Sequence, residues 1–243
     1  RVAWTNPVPV CFEQGLFARV SHTMTDRYDF IVIGGGPAGM MAAGRAGERG
    51  KKVILLEKKD HLGRKLLMCA TGRCNVTNTA LLDIFIKAYE RGGHFLRTAL
   101  ETFDNEKLRS FLLSYGVETV VENKGRVFPK SQKADSVLKA LETYMHDHQV
   151  TIQTNSQVLR LNLESNCVSG VETNHGNIVG RNVLIATGGL SYPVTGSTGD
   201  GYTLASAGGH TISPTYPAII AFETAETWVK SLQGTPMKNV HIA

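Results

Sequence analysis

Three glycines near the start of the chain, Gly34, Gly36 and Gly39, have the spacing of a turn that binds a pyrophosphate. They follow the apolar run 29–33, which predicts a buried strand, and they open the segment 37–49, which predicts a helix. A glycine without Cβ lets phosphate oxygens approach the backbone, and the first turn of a helix offers free N–H groups and a partial positive charge. The pattern therefore predicts a dinucleotide site. In this pattern Gly34 allows the tight turn, Gly36 lets the pyrophosphate approach the backbone, and Gly39 lets helix and strand pack closely.

A carboxylate stands at the end of the next predicted strand. The run 52–57 predicts a second buried strand, and Glu57 lies 18 residues after Gly39, close to the spacing of about 20 typical of such sites. A carboxylate at this place accepts hydrogen bonds from both hydroxyls of an adenosine ribose and repels a 2′-phosphate. FAD or NAD therefore fits better than NADP. These residues do not separate FAD from NAD, because both contain the same ADP half.

The rest of the chain predicts further helices and strands around this site. Residues 80–149 are predicted to be mainly helical, with one helix capped by Asp104, a short strand at 117–121 and a last helix that begins at Ser131. Residues 150–187 alternate in short runs divided by Asn, Ser and Gly. This pattern predicts a small antiparallel β-meander that returns to the main sheet.

The composition is that of a globular protein, with 42% hydrophobic and 19% charged residues among 243. The formal net charge of +5 leans weakly towards anionic partners such as phosphates or RNA. No apolar run reaches the roughly 20 residues that span a membrane, and no Cys/His cluster has the spacing of a zinc site, so neither a membrane nor a metal is predicted. Four cysteines in a chain of this length favour a reducing, cytoplasmic location.

Three later segments, together with the glycine turn and Glu57, resemble one protein family. The segments are GRKLLMCATGRCNVTN (63–78), GRVFPKSQKADSVL (125–138) and ATGGLSYPVTGSTGDGYTLASAGGHTI (186–212). They resemble the BaiN/YhiN-type flavoproteins, a family also known as aminoacetone-oxidase-like, and the match runs from about residue 27 to the end of the chain. The resemblance implies FAD and an α/β fold: a Rossmann-like FAD-binding domain of the glutathione-reductase type, with a helical insertion, a small antiparallel meander and the start of an inserted, mostly β domain.

The resemblance also divides the chain into three parts. Residues 1–23 have no strong period and precede Met24, so we interpret them as a leader or non-native segment. Residues 24–220 are the expected FAD-binding domain. Residues 221–243 are expected to be the beginning of a truncated inserted substrate domain.

Individual residues take expected roles from the same resemblance. The residues that match the family's pyrophosphate turn, and are the predicted phosphate contacts, are Gly34, Gly36, Pro37, Ala38 and Gly39. Glu57 matches the acid that binds the ribose, Lys58 follows it, and Val158 is expected to contact adenine through its backbone. The turn that returns the chain to FAD is expected at Thr187, Gly188 and Gly189.

The family's Arg-Cys-Asn motif supplies three more expected cofactor contacts, Arg73, Cys74 and Asn75. The family has more glycines before this motif, where the present chain has Ala70 and Thr71. Alanine and threonine tolerate a positive φ poorly, so this loop is expected to differ locally from that of its relatives.

For function, the resemblance implies an FAD-dependent oxidoreductase. A nicotinamide nucleotide, NAD(P)H, is the expected electron donor, and it would visit the flavin transiently because the sequence has no second glycine turn of this type. The residues expected to take part in catalysis are Cys74, Asn75 and Tyr192. The expected partner is either a small-molecule substrate or structured RNA, with a uridine of ribosomal RNA as the reacting group; the oligomeric state is left open.

Three other functions remain as alternatives. Cys69 and Cys74 have the C-x4-C spacing of the redox pair in flavin disulfide reductases, although the Gly-Gly-Thr before that pair and the Pro-x-Lys after it are missing. The chain could also bind FAD or another nucleotide without turnover. A plain NAD dehydrogenase is the third alternative, and it leaves segment 186–212 without a role.

Overall fold

The computed structural model describes residues 27–165, 167–217 and 226–232. The chain divides into two units, one with the described residues up to Ile212 and the other with those from Ser213 onward. In the second unit a short 3₁₀ turn spans Trp228–Leu232. The elements below belong to the first unit.

The predicted domain limits lie largely outside the described residues. This is true of the segment 1–23, of the boundary at residue 220, and of all of 221–243 except 226–232. These limits therefore stay predictions.

Strands, helices and short turns alternate along the first unit. The strands are β1 (Tyr28–Ile33), β2 (Val53–Leu56), β3 (Thr77–Asn78), β4 (Thr119–Glu122), β5 (Arg126–Pro129), β6 (Thr151–Gln153), β7 (Val158–Glu164), β8 (Cys167–Thr173) and β9 (Gly176–Ile185). The helices are α1 (Pro37–Glu48), α2 (Arg64–Met68), α3 (Leu82–Ala88), α4 (Gly93–Thr102), α5 (Asn105–Ser114), α6 (Ala134–Asp147) and α7 (Asp200–Ala207). Short 3₁₀ turns lie at Cys69–Gly72, Glu90–Gly92, Asn123–Gly125 and Pro193–Thr195. No helix in the described ranges is long and apolar enough to cross a bilayer.

The main sheet has six strands in the order β6-β2-β1-β9-β8-β7. Its first four strands are parallel, and Ile31 of β1 lies opposite both Ile54 of β2 and Val183 of β9. The strands β7 and β8 continue the sheet in antiparallel pairing. Strand β9 joins the two halves, because residues 176–179 pair with β8 and residues 180–185 pair with β1.

The strands β1 and β2 are apolar on both faces because both faces of the parallel sheet are covered. Val32 packs in a buried cluster with Met40 of α1 and Met145 of α6. Its neighbour Ile31 points to the other face and packs in a cluster with Leu204 of α7. The two buried strands predicted from the sequence are confirmed.

Helix α1 is held against α6, and this fixes the direction of its N-terminus. At Gly44 an added Cβ would lie 2.4 Å from the ring of Tyr144, so the absence of a side chain allows the close contact. The Tyr144 hydroxyl donates a hydrogen bond of 2.7 Å to the carboxylate of Glu48, which lies at the end of α1.

The helical insertion is confirmed for most of its length. Asp104 caps α5, since its carboxylate accepts the N–H of Lys107 at 2.8 Å. The predicted start of the last helix at Ser131 is wrong, because α6 begins at Ala134. The Ser131 hydroxyl instead takes part in a turn before the helix, where it lies 2.7 Å from the hydroxyl of Ser136.

The strands β3, β4 and β5 build a second, separate sheet with the order β3-β5-β4. Its pairing is antiparallel, with Val120 of β4 opposite Phe128 of β5 and Thr77 of β3 opposite Val127. The sequence predicted a strand at 117–121, close to β4, and did not predict β5.

The antiparallel meander predicted for 150–187 is correct for β7, β8 and β9 and wrong for β6. Strand β6 pairs in parallel with β2, with Ile152 opposite Leu55, and so extends the parallel sheet. Strand β6 is only three residues long, and so short a sequence does not indicate which strand it pairs with or whether the pairing is parallel.

Candidate dinucleotide-binding site

A cavity of about 320 Å³ lies at the carboxyl ends of β1, β2 and β9. This is the place where open α/β sheets bind ligands, because the chain leaves neighbouring strands in opposite directions there. The glycine turn, the end of β2, the start of β7 and the turn after β9 contribute to its wall. The lining residues from these segments are Gly34, Gly35, Gly36, Pro37, Ala38, Glu57, Lys58, Ser156, Gln157, Val158, Ala186, Thr187 and Gly188.

The three glycines of the turn have three different spatial roles. Gly34 has a φ of +110°, and a Cβ there would lie 2.5 Å from the carbonyl oxygen of Ala186, so the turn needs both its conformation and its small size. A Cβ on Gly39 would lie 2.0 Å from the carbonyl oxygen of Gly34, which shows how closely α1 approaches β1. At Gly36, by contrast, a Cβ would meet no atom within 4 Å, and this open space is part of the cavity.

The N-terminus of α1 borders the same space. Gly36 is its N-cap, no side chain accepts from its first N–H groups, and no acidic residue lies in its first turn. An uncapped helix start with its partial positive charge is suited to an anion. Of the predicted phosphate contacts, Gly34, Gly36, Pro37 and Ala38 line the cavity, whereas Gly39 lies behind them in the contact between helix and strand.

The carboxylate of Glu57 is fixed by two backbone donors. The N–H of Gly35 donates to one oxygen and the N–H of Lys59 donates to the other, both at 2.8 Å. Each carboxylate oxygen can accept a second hydrogen bond, so the group can still receive two hydroxyls. The two backbone bonds thus hold the acid beside the glycine turn and leave acceptor capacity for a ligand.

Two lysines connect the segment after β2 to the loop before α7. Lys58 Nζ donates to Thr198 Oγ1 at 2.5 Å and to Asp200 Oδ2 at 2.7 Å. Lys65 Nζ donates to the carbonyl oxygen of Ser191 and to Ser197 Oγ, both at 2.7 Å. These ties bring the 191–200 loop to the cavity.

Asp200, the first residue of α7, has a pKa below the ordinary value. Burial alone raises this pKa, but the hydrogen bonds from Lys58 and Thr198 lower it by more. The carboxylate is therefore ionised at neutral pH and offsets much of the Lys58 charge. Lys58, an expected cofactor contact, lines the cavity with its ammonium already bound to this acid.

The turn after β9 packs tightly against the start of α7. Gly188 has a φ of +75°, and a Cβ there would lie 2.7 Å from Ser197 Oγ. A Cβ on Gly201 would lie 2.3 Å from Thr187 Oγ1. Thr187 and Gly188 line the cavity as expected for cofactor contacts, whereas Gly189 is not among the lining residues.

Val158, the expected adenine contact, is the first residue of β7 and lines the cavity as a buried side chain. Its backbone lies in register with Thr173 of β8. This position places Val158 at the wall formed by 156–158, next to the end of β2. Its contact with adenine stays a prediction.

The Arg-Cys-Asn segment occupies a different part of the molecule, outside the cavity lining. The Arg73 guanidinium stacks on the Phe128 ring with its central carbon 4.1 Å from the ring centroid. Its Nε donates to Gln132 at 2.7 Å, and another of its nitrogens donates to Glu122. The Asn75 amide, oriented so that its donors meet acceptors, donates to the carbonyl oxygens of Thr77 and Val127.

These contacts attach the segment after α2 to the sheet β3-β5-β4. The structure therefore assigns Arg73 and Asn75 polar partners within the protein, and it brings neither of them to the nucleotide cavity. Their expected roles at the cofactor stay predictions. So does the role of Tyr192, which is 62% exposed on the 191–200 loop and is also outside the cavity lining.

Cys74 is buried, with 2% exposure, in a cluster with Leu112 and Val137. Burial raises its pKa, and a hydrogen bond with the neighbouring Cys69 raises it further, to about 12. Cys74 is therefore a thiol at neutral pH, whereas a redox relay needs a thiolate. Cys69 and Cys74 are free cysteines that contact one another.

The loop between these cysteines has an unusual backbone. Ala70 and Thr71 have φ values of 49° and 57°, and Cys74 has a φ of 62°. These three residues thus adopt the left-handed conformation, which has a steric cost for residues other than glycine. The expected local difference from the relatives' loop stays a prediction.

Sequence reasoning missed several residues of the cavity wall. Arg64 and Lys65 lie within the motif 63–78 but were given no role, and neither was His61. Ser156 has no sequence signal, because an isolated serine before a strand is common. In the described ranges, no group of three His, Cys, Asp or Glu side chains could hold a metal ion.

The comparisons with known proteins show the family and the fold of this chain. The family model described as "HI0933-like protein Rossmann domain" matches residues 28–242. The 3-dehydro-bile acid delta(4,6)-reductase of Clostridium scindens is 33% identical over 191 residues, which are 78% of this chain and 46% of that protein. The ribosomal RNA dihydrouridine synthase of Escherichia coli is 30% identical over 209 residues, 86% of this chain and 51% of that protein. The present chain thus spans about half the length of these relatives.

A solved structure supports the fold. The chain of Mycobacterium smegmatis Sdh1 in the apo form superposes with a TM-score of 0.55 at 22% identity, over 75% of this chain and 39% of that one. The α/β, Rossmann-like architecture is thereby shown.

Proposed function

Because this chain belongs to the HI0933-like protein Rossmann domain family of FAD-dependent oxidoreductases, we propose that its cavity binds the ADP half of FAD and that the whole protein is an FAD-dependent oxidoreductase. One observation carries the proposal. The open space at Gly36, the uncapped start of α1 and the fixed carboxylate of Glu57 border one cavity. An anion-binding helix start beside a ribose-binding acid is the arrangement that an ADP group requires.

The residues of this chain divide the work of binding. The N–H groups at the start of α1 bind the pyrophosphate, and the absence of a side chain on Gly36 lets it approach the backbone. Glu57 orients the ribose through its two free acceptor positions. Lys58 and Lys65 hold the 191–200 loop at the cavity and so limit access of water to the bound nucleotide. When bound, FAD supplies the redox chemistry of the reaction.

The electron donor in this proposal is a nicotinamide nucleotide that visits the flavin transiently. The substrate is either a small organic molecule or a uridine in ribosomal RNA. The two relatives' names cover both classes, and the formal charge of +5 favours RNA only weakly. Binding of RNA that weakens steeply with added salt would select the second class. A cytoplasmic location belongs to the same proposal.

The first test is retention of FAD. The chain is incubated with FAD and desalted, and its visible spectrum is recorded, with chromatography to identify the released nucleotide. Retained FAD supports the proposal. Saturable binding of NAD or ADP-ribose without FAD would favour the dehydrogenase alternative. Bound FAD without oxidation of NADH or NADPH in the full-length protein, with an acceptor present, would favour the alternative without turnover.

A matched pair of variants locates the site. Gly36→Ala and Gly92→Ala both add a methyl group where no atom lies within 4 Å and where φ is negative. Only Gly36 lies in the cavity. We expect Gly36→Ala to lose FAD and Gly92→Ala to retain it, with both variants folded by circular dichroism. Equal retention by the two variants would contradict the proposed position of the pyrophosphate.

A further inference from the structure

Among the described residues, two buried side-chain atoms have no hydrogen-bond partner, the Nε of Arg64 and the Oγ of Ser156. Both residues line the cavity that we propose for the nucleotide. Leaving a buried polar group unpaired costs about 1–3 kcal/mol, so such groups are rare and need an explanation. Their meeting at one cavity suggests a shared explanation, namely a ligand that pairs with both.

Ser156 stands on the adenosine side of the cavity. Its own N–H donates to the carbonyl oxygen of Glu57 at 2.9 Å, which places it beside the acid proposed for the ribose. Two residues later Val158 begins β7. The Ser156 side chain is 1% exposed, its hydroxyl has no hydrogen-bond partner, and the residue lines the cavity.

Arg64 stands on the pyrophosphate side. The preceding residue, Gly63, donates its N–H to the carbonyl oxygen of Gly35 at 2.9 Å, which attaches the start of α2 to the glycine turn. One terminal nitrogen of Arg64 donates to Asp60. This bond orients the guanidinium and leaves Nε without a partner.

We propose that Ser156 and Arg64 are nucleotide-contacting residues, with the Ser156 hydroxyl bonded to the adenosine part and the Arg64 guanidinium bonded to the pyrophosphate. This inference rests on the proposed function and adds two contacts to the site. The hydroxyl of Ser156 would bind the neutral adenosine part and the cation of Arg64 the anionic pyrophosphate. Loss of Ser156 should therefore weaken binding of adenosine as well as of ADP, whereas loss of Arg64 should weaken only ligands that carry phosphate.

The test for Ser156 is the variant Ser156→Ala, titrated with FAD, ADP and adenosine by fluorescence and by competition. We expect affinity for all three to fall about three- to tenfold, the effect of one hydrogen bond. The melting temperature without ligand should stay the same or rise, because the variant removes an unpaired buried group. A purely structural serine would show the reverse, a lower melting temperature and unchanged affinity.

Thr173→Val is the matched control for that variant. Thr173 is also buried and close to β7 in register, but its hydroxyl donates to the carbonyl oxygen of Gly176 at 2.9 Å and lies outside the cavity lining. We expect this variant to melt at a lower temperature and to bind the three ligands like the original chain.

The test for Arg64 is Arg64→Met, which keeps most of the side-chain length and removes the charge. Affinity for FAD and ADP should fall tenfold or more, because hydrogen bonds to charged groups are stronger, while affinity for adenosine should stay unchanged. Arg45→Met is the control, since Arg45 also pairs with an acid, Glu48, but lies on the far part of α1. It should leave all three affinities unchanged.

The outcomes distinguish this inference from the function on which it rests. Unchanged affinity in Ser156→Ala, or an equal loss for ADP and adenosine in Arg64→Met, would overturn the assignment of that residue while FAD binding by the original chain stands. Failure of the original chain to bind FAD or ADP would overturn both the assignment and the proposed function.

Discussion

The glycine turn after β1 and the Arg-Cys-Asn segment after α2 both carry sequence motifs, but only the turn lies at the cavity. The turn is built from residues without reactive groups, and its backbone faces the open space at Gly36. The Arg-Cys-Asn segment has three side chains that could react or bind a ligand, but each has its contacts within the protein. Arg73 and Asn75 form hydrogen bonds that attach the segment to the small sheet, and Cys74 is buried. In this chain the glycine spacing, which follows from backbone geometry, located the cavity, whereas the reactive residue types of the Arg-Cys-Asn segment did not.

The largest expected effect of a substitution is at Gly39, in the glycine turn. Gly39→Ala places a methyl group 2.0 Å from the carbonyl oxygen of Gly34 and forces α1 away from β1. We expect the free energy of unfolding, measured in urea, to fall by about 3 kcal/mol, the upper range for overpacking, and FAD retention to be lost. Gly36→Ala should lose FAD with little change in stability. Equal stability losses in both variants would remove the distinction between a packing glycine and a ligand-facing glycine.

Cys74 tests whether the second region takes part in redox chemistry. A thiol with a pKa of about 12 is ionised at pH 8 in about one molecule in ten thousand, so alkylation should be at least a hundredfold slower in the native chain than in urea. The rate is followed by mass spectrometry of the peptide that begins at Cys74. In the FAD-bound protein, Cys69→Ser should leave reduction unchanged. A charge-transfer band on two-electron reduction that this variant abolishes would instead establish the disulfide reductase alternative.

Arg73 should contribute to stability more than to binding. Arg73→Met removes the stacking on Phe128 and the hydrogen bonds to Gln132 and Glu122. We expect a loss of about 1–2 kcal/mol in the free energy of unfolding and an unchanged dissociation constant for FAD. A tenfold weaker FAD affinity with unchanged stability would place this arginine at the cofactor, as the family resemblance implies.

The smallest effect is expected at the tie between Lys58 and Asp200. Asp200→Asn should lower the free energy of unfolding at pH 7 by less than about 1 kcal/mol, because the pair is partly exposed. The lowered pKa of Asp200 means that the carboxylate stabilises the fold above its ordinary pKa of 3.8, and that this contribution disappears as the pH falls through the lowered value. Unfolding curves of the two chains should therefore converge in acid. A constant difference down to pH 2 would show that the charge of Asp200 is not the cause.

The parts of the fold that the sequence predicts are those governed by local rules. The strand, turn and helix around Gly34 follow from hydrophobic period and from the conformations open to glycine. The cap at Asp104 follows from a hydrogen bond within four residues of the chain. Each of these features depends on neighbours in the sequence.

The parts that the sequence did not predict depend on distant partners. Strand β6 is parallel because β2 offers it a free edge, and its own residues do not specify that edge. Ser156 points to a function only in the folded chain, where its backbone bonds to Glu57 and its buried, unpaired hydroxyl belongs to a residue of the cavity wall. Ala70 and Thr71 keep left-handed conformations that residue preferences oppose, which requires support from the surrounding packing.

The hydrogen bonds of Lys58 and Lys65 to the 191–200 loop also affect when the cavity can form during folding. Lys58 and Asp200 are separated by 142 positions and Lys65 and Ser197 by 132, so these bonds close very long loops. Contacts of such high sequence separation form late in folding, since the chain entropy must be lost before they are gained. During synthesis the glycine turn leaves the ribosome long before its opposite wall, so the cavity is complete only after α7 has emerged. On the proposed function, nucleotide binding would therefore require the parallel sheet and the 191–200 loop to be assembled first.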